Sequence, residues 1–238
     1  MERKVRAVFE LQGTVFYIIA VCLAILVFLI ILNMKLKKFD PLDEPKGLVL
    51  MAMMGVNFIE NMLKKDTNKE MTEKLGPYLA FLFIYIFIAN ISGLFGLTPP
   101  TSNYSVTLTL AAITCIMIEY YSIKYNGVKS YVKKLFEPLA PFVVINIISK
   151  VGTLLSLSLR LFGNIIAGSI LMSVVYQLLA RVSALIPVIG KFNFVGVIVC
   201  SVLHMYFDLF AGAMQTYLFG TLTVAFISNE LPEEAKGK

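Results

Sequence analysis

Long apolar stretches alternate with short charged ones along this chain. The first, Val15–Asn33, is long enough to cross a bilayer as a helix, for which about 20 residues suffice. Lys35-Leu-Lys-Lys38 and Lys46 follow it, and loop cations of this kind mark the cytoplasmic side. Arg3, Lys4 and Arg6 ahead of it weigh the other way. Pro41 and Pro45 break the chain. Gly47–Lys65 is apolar along one side, with Asn57, Glu60, Asn61, Lys64 and Lys65 towards its end. It predicts an amphipathic helix lying in the membrane surface. The charged stretch Lys65–Lys74 predicts a wet loop.

Two further spans, Tyr78–Leu97 and Val106–Ile123, are joined by the turn Pro99-Pro100-Thr-Ser-Asn103. Lys124, Lys129, Lys133 and Lys134 follow, so both outer ends of this hairpin (78–123) are expected in the cytoplasm. Glu119, near the inner end of the third span, is expected to reach the surface or to pair with Lys124, a role in conduction being the alternative. The C-terminal part has another rhythm. From Pro141 to Ile186 there is little charge and no internal proline. A helix of that length measures roughly 65–70 Å, about twice the hydrocarbon core of roughly 30 Å. A second run, Phe192–Ser228, would reach roughly 55 Å. Tilts average only about 20°, so neither helix stands upright. The pattern predicts a hairpin (141–228) of two long, membrane-inclined helices, closed by Ile186-Pro-Val-Ile-Gly190-Lys191. The fold class is all-α: one integral membrane domain over 1–238, with a first span, an interfacial helix, a transmembrane hairpin and the long inclined hairpin.

Composition agrees with that reading. Only 15% of the 238 residues are charged and 58% are hydrophobic, where a soluble domain carries about 25% charged residues. The net charge of +6 sits in short loops between apolar runs and does not imply a nucleic-acid partner. Cys22, Cys115 and Cys200 lie in apolar segments and fit neither a disulfide framework nor a zinc site by spacing; they are expected to be small packing residues. No small-residue cleavage site follows the first span, so no cleavable leader is expected. No phosphate-binding glycine loop is present, so no nucleotide chemistry and no cofactor are expected, nor activity as an enzyme on its own.

Arg160 departs most sharply from the apolar pattern. It lies in Ser156-Leu-Ser-Leu-Arg160-Leu-Phe-Gly-Asn164, deep in a long apolar run. An arginine at the centre of a membrane helix costs about 2.5–3.5 kcal/mol on insertion scales, and its guanidinium stays charged. It needs an acid, water or a polar cavity, and the nearest acids in sequence are Glu137 and Asp208. Gly152, Ser156, Arg160, Asn164 and Gly168 form one stripe at helical spacing. Such a stripe suits either a tight contact within the chain or a smooth surface with one charge aimed at a partner helix. In the second long helix His204, Asp208, Gln215 and Phe219 share a face. An antiparallel pairing brings Gln215 towards the Arg160 stripe. His204 and Asp208, one turn apart, suit an internal hydrogen bond or a polar lining. No third ligand accompanies them, so no metal is expected.

These residues carry a resemblance. Ser156–Asn164, then Ala167-Gly168 and Gln215-Thr-Tyr-Leu-Phe219, with Pro99-Pro-Thr-Ser-Asn-Tyr-Ser-Val-Thr-Leu108 and Tyr121-Ser-Ile-Lys124, are similar to subunit a of F-type ATP synthases. The likeness covers about Phe81 to Ile227. It implies a stator subunit beside a ring of c subunits, each bearing one buried carboxylate, with two aqueous half-channels that couple proton or sodium flow to rotation. It implies a b-subunit peripheral stalk and the remaining synthase subunits as partners. It also implies a multi-pass location in the bacterial plasma membrane, with a cytoplasmic C-terminus. The family's essential arginine falls on Arg160, its asparagine on Asn164 and its hydrogen-bonding glutamine on Gln215.

Four positions depart from the family pattern. Ser169 stands where many bacterial relatives carry glutamate, and Asp208 where they carry histidine. Asn146 and Asn103 stand at frequently acidic positions. Asp208, beside His204 and Gln215, is then the candidate relay for ions entering from outside. Ser169, Asn103 and Asn146 are channel positions able to hydrogen-bond water. The exit points to Glu230, Glu233 and Glu234. Two other functions are compatible with the residues: a self-contained transporter whose Arg160 binds an anionic substrate, and a membrane scaffold whose Arg160 pairs with Asp208.

Overall fold

A computed structural model describes residues 2–40, 44–137, 139, 141–184 and 194–232. Among them the chain forms helices and turns, with no strand. The helices are α1 (Glu2–Lys37), α2 (Leu48–Leu63), α3 (Lys69–Ile91), α4 (Tyr104–Asn126), α5 (Val128–Phe136), α6 (Phe142–Ala184), α7 (Phe194–His204) and α8 (Gly212–Glu230). A π-helical segment, Met205–Ala211, joins α7 to α8, and two short 3-10 turns, Ser92–Phe95 and Pro100–Ser102, lie between α3 and α4. Five stretches are long and apolar enough to cross a membrane: Val15–Lys37, Lys69–Phe95, Tyr104–Asn126, Phe142–Ala184 and Gly196–Glu230. The chain is an all-α polytopic membrane protein. The turn expected at 186–191 lies outside the described residues.

The charged run before the second span does not stay a loop: α3 begins at Lys69. Asn68 caps it, its Oδ1 accepting from the Met71 amide at 3.0 Å, and one of the orphaned N–H groups of the first turn is thereby satisfied. Behind the cap, buried Thr67 and Thr72 hydroxyls bond each other at 3.2 Å. The lysines after α4, read as loop markers, instead build α5. Gly127, at φ +77°, makes the corner between α4 and α5, a conformation that costs glycine little.

Two ends of the bundle are distinct. At the lysine-rich end, Asn126 donates to the Glu230 carbonyl at 2.7 Å, Ser228 donates to the Asp66 carbonyl at 2.9 Å, and Lys134 binds the Glu230 carboxylate at 2.8 Å. These contacts gather the start of α3 with the ends of α4 and α8. A cluster of buried side chains including Leu63, Leu75, Leu79, Tyr121 and Ile227 fills the space beside them. A second cluster, with Val21, Ile86, Ala111, Leu157, Leu161 and Phe219, ties α1, α3, α4, α6 and α8 together further along. Between these clusters Tyr78 and Thr114 share a 2.7 Å hydrogen bond.

Close approach of α3 and α8 depends on glycine. A Cβ on Gly212 would lie 2.9 Å from the Asn90 Cβ, and one on Gly220 would fall inside the Phe83 ring. Asn90, 1% exposed, uses that proximity: it donates to the Gly212 carbonyl at 3.4 Å and accepts from Thr101 at 3.0 Å. Helix α6 has 43 residues, about 65 Å of helix, and packs most extensively on α4. It runs antiparallel to α7: Tyr176 faces His204 and Gly168 faces Phe207. Only 11% of the apolar window of α6 is buried within the chain, and Ile145, Ile148, Leu159, Ile170 and Val174 point outward. Cys22 is exposed on α1 rather than packed inside, while Cys115 is half-buried and Cys200 buried.

Candidate functional site

Helix α6 runs unbroken through Arg160, with no glycine or proline kink around the charge. Arg160 is partly exposed, and its guanidinium donates to the Ser156 hydroxyl one turn back, at 3.5 Å, in a contact open to the surface. Among the described residues it forms no ion pair. Asp208, its candidate partner within the chain, accepts instead from the His204 ring: Nδ1 and Oδ2 are 3.0 Å apart. The scaffold reading thus lacks the pair it requires. Gln215, expected to come alongside the Arg160 stripe, forms no hydrogen bond with the arginine. Gln215 is 5% exposed, and its Nε2 has no partner.

A cavity of about 520 Å³ opens between α6, the 3-10 turns and the π-helical segment. Asn164, Gly168, Ser169 and Tyr176 of α6 face His204 and Asp208 across it, with Gly93 and Ser102 on the third side. Four of the residues expected in the ion pathway therefore share one space: Asn164, Ser169, His204 and Asp208. The π-helical turn holds Asp208 there. A wider turn of this kind shifts the side-chain register of the following helix, and such turns recur at functional sites. Gly93 makes room for the carboxylate, since a Cβ at that position would stand 3.3 Å from Asp208 Cγ and 3.4 Å from each oxygen. Neither the π-turn nor Gly93 is visible in a count of helical periods, which assumes unbroken α-geometry.

Asn103 lies outside this cavity. Its side chain caps α4 by accepting from the Ser105 amide at 2.9 Å, so the expected channel position does structural work. Asn146 is also engaged with backbone, donating to the carbonyls of Leu135 at 2.8 Å and Glu137 at 3.1 Å, where it closes the end of α5. Even so, Asn146 borders a second cavity of about 430 Å³, at the lysine-rich end, with Tyr131, Lys134, Ser149, Lys150 and Glu230. Glu230, one of the expected exit residues, is held by Lys134 at 2.8 Å and Ser122 at 3.1 Å. Glu233 and Glu234 lie outside the described residues.

Glu119 does not pair with Lys124, whose ammonium sits 5.5 Å above the Tyr120 ring. It accepts from Lys150 at 2.7 and 2.6 Å and from the Tyr131 hydroxyl at 2.6 Å. Lys150 is 31 positions away in sequence, beyond the reach of any short-range pattern. Burial pushes the Tyr131 phenol above its ordinary range, and the Glu119 carboxylate adds to the shift.

Along α6, Arg160 separates the two cavities. Asn146 and Lys150 lie fourteen and ten positions before it, Asn164 four after it. At about 1.5 Å per residue, the lysine-end cavity begins roughly 15 Å to one side and the other roughly 6 Å to the other side. Arg160 borders neither of these two cavities.

The chain matches the family model described as "ATP synthase A chain" over residues 15–228. It is 33% identical to "ATP synthase subunit a" of Desulforamulus reducens over 179 residues, which is 75% of this chain and 65% of that protein. It is 33% identical to the protein of the same name from Bacillus pumilus over 192 residues, 75% of this chain and 77% of that one. The corresponding protein of Mycoplasmoides gallisepticum is 30% identical over 213 residues, 83% of this chain and 71% of that one. The matched stretch thus spans just under two thirds of the first of these relatives and more of the others.

Proposed function

The chain belongs to the ATP synthase A chain family, a subunit of the membrane sector, and from that premise we propose that it is the ion-translocating stator of a rotary ATP synthase. Arg160 faces the carboxylates of a c-subunit ring, and the two cavities are the half-channels on either side of it. What supports this reading most directly is a partly exposed arginine that lies along α6 between two cavities and forms no ion pair with an acid among the described residues.

The chemistry follows from charge and solvation. A ring carboxylate opposite Arg160 stays ionised, because a nearby cation lowers an acid's pKa. Before leaving for lipid it must take up a proton or sodium ion, since a bare charge there is costly. Arg160 therefore unloads each arriving carboxylate and blocks a direct leak between the cavities. Desolvation of both charges limits their net attraction, so the carboxylate can move on. Asp208 and His204 load the ring from the outer cavity, with Asn164 and Ser169 hydrogen-bonding water along it. The cavity beside Glu230 and Asn146 releases the ion to the cytoplasm, where the C-terminus lies. A peripheral stalk of b subunits holds the stator in the bacterial plasma membrane. One charge crossing 100 mV gains about 2.3 kcal/mol, so several ions drive each ATP.

The test is Arg160→Lys in the assembled complex in membrane vesicles. ATP-driven ion pumping should disappear while the complex still assembles. Coupled pumping near the normal rate would reject the proposal.

A further inference from the structure

Beside the lysine-end cavity lies a group that the ion pathway does not use. Lys150 and Tyr131 border the cavity, and the Glu119 carboxylate, which is not part of its lining, is bound by both. The Lys150 ammonium also lies 4.4 Å from the centroid of the Tyr131 ring. These three side chains bind α4, α5 and α6 to one another, which explains a lysine at this depth in α6. They also create a difficulty. A lysine on the wall of this cavity repels the cations expected to leave through it. The cavity's other lysine, Lys134, is already neutralised by Glu230.

Granting that cations leave through this cavity, as proposed above, we infer that Glu119 is its charge guard: the counter-anion that keeps Lys150 from closing the release path to cations. Glu119 is a specificity-determining residue acting through Lys150, and it carries no ion itself. Both its oxygens accept from Lys150 and one also accepts from Tyr131, so three of its roughly four acceptor sites are engaged. An unpaired unit charge a few ångströms from the ion's path would slow passage on the order of tenfold in a wet cavity, and salt would screen the effect.

The experiment compares variants of the assembled complex in membrane vesicles, reading ATP-driven pumping per assembled complex. Glu119→Gln and Lys150→Gln break the same ion pair but leave charges of opposite sign. The charge-guard role predicts about a tenfold loss for Glu119→Gln, partly recovered at high salt on the release side. Lys150→Gln should lose far less, and the double variant should resemble it. Equal losses in the two single variants, insensitive to salt, would reduce the pair to a structural brace and overturn the inference. An independent arm leaves the pair intact: Ser149→Lys places an extra cation on the same exposed wall. It should impose the same salt-sensitive loss, and a normal rate there would equally overturn the inference. The stator reading fails separately, on the Arg160→Lys result, whatever these variants do.

Discussion

Asp208 sits where three unrelated devices meet: a π-helical turn that aims it, a histidine 3.0 Å away and a glycine that leaves room for its carboxylate. Asp208→Asn should lower ATP-driven pumping by roughly a hundredfold or more, the range over which positioned proton-transfer groups act, with assembly of the complex unchanged on native gels. Gly93→Ala is a subtler probe. Its methyl would crowd the carboxylate at 3.3 Å and should cut pumping several-fold through Asp208 alone, so combined with Asp208→Asn it should cost nothing more. Gln215 behaves differently, because its buried Nε2 has no partner and an unsatisfied buried donor costs about 1–3 kcal/mol. Gln215→Leu should leave the melting temperature of the detergent-solubilised complex unchanged or raised, while pumping falls. Arg160, Asn164 and Asp208 were legible in the sequence because a charge or amide in an apolar run stands out against the cost of burying it. Asn103 and Asn146 were legible as polar positions but not as backbone caps, since capping depends on where a helix ends.

Helix ends are also where the elements depart from the sequence pattern. The five long apolar stretches announce themselves by length, but Lys69–Lys74 looked like loop because its charges mask a helical start that only Asn68 and the buried threonines reveal. Helix α5 has nine residues, whose lysines resemble loop cations, and it is framed by the corner at Gly127 and by tertiary contacts through Tyr131 and Lys134. The π-segment was invisible because one widened turn leaves composition untouched. The glycines of α8 test how tightly it seats on α3. Gly212→Ala pushes a methyl against the Asn90 Cβ at 2.9 Å, which backbone shift alone can relieve, and should cost about 1–3 kcal/mol. Gly55→Ala, in α2 with nothing within 4 Å, should be neutral or stabilise by up to about 1 kcal/mol through helix propensity. Thermal unfolding of the solubilised complex distinguishes the two.

For the whole molecule, the unbroken length of the run from 141 to 186 carries clearly into the structure, since α6 has 43 residues, far more than a layer roughly 30 Å thick requires. The identity of the coupling ion is a property of the assembly, and ATP hydrolysis by the purified complex at alkaline pH reports it. Stimulation by added sodium would mark a sodium-driven motor, and indifference a proton-driven one. The placing of the two cavities has one more consequence. If both hold water, as the proposed half-channels require, the membrane voltage would not fall evenly across the bilayer; it would drop mainly over the stretch of α6 between them that holds Arg160. The electric field there would be correspondingly steeper than in the surrounding lipid. A charge passing that point would meet nearly the full potential difference within a few helical turns.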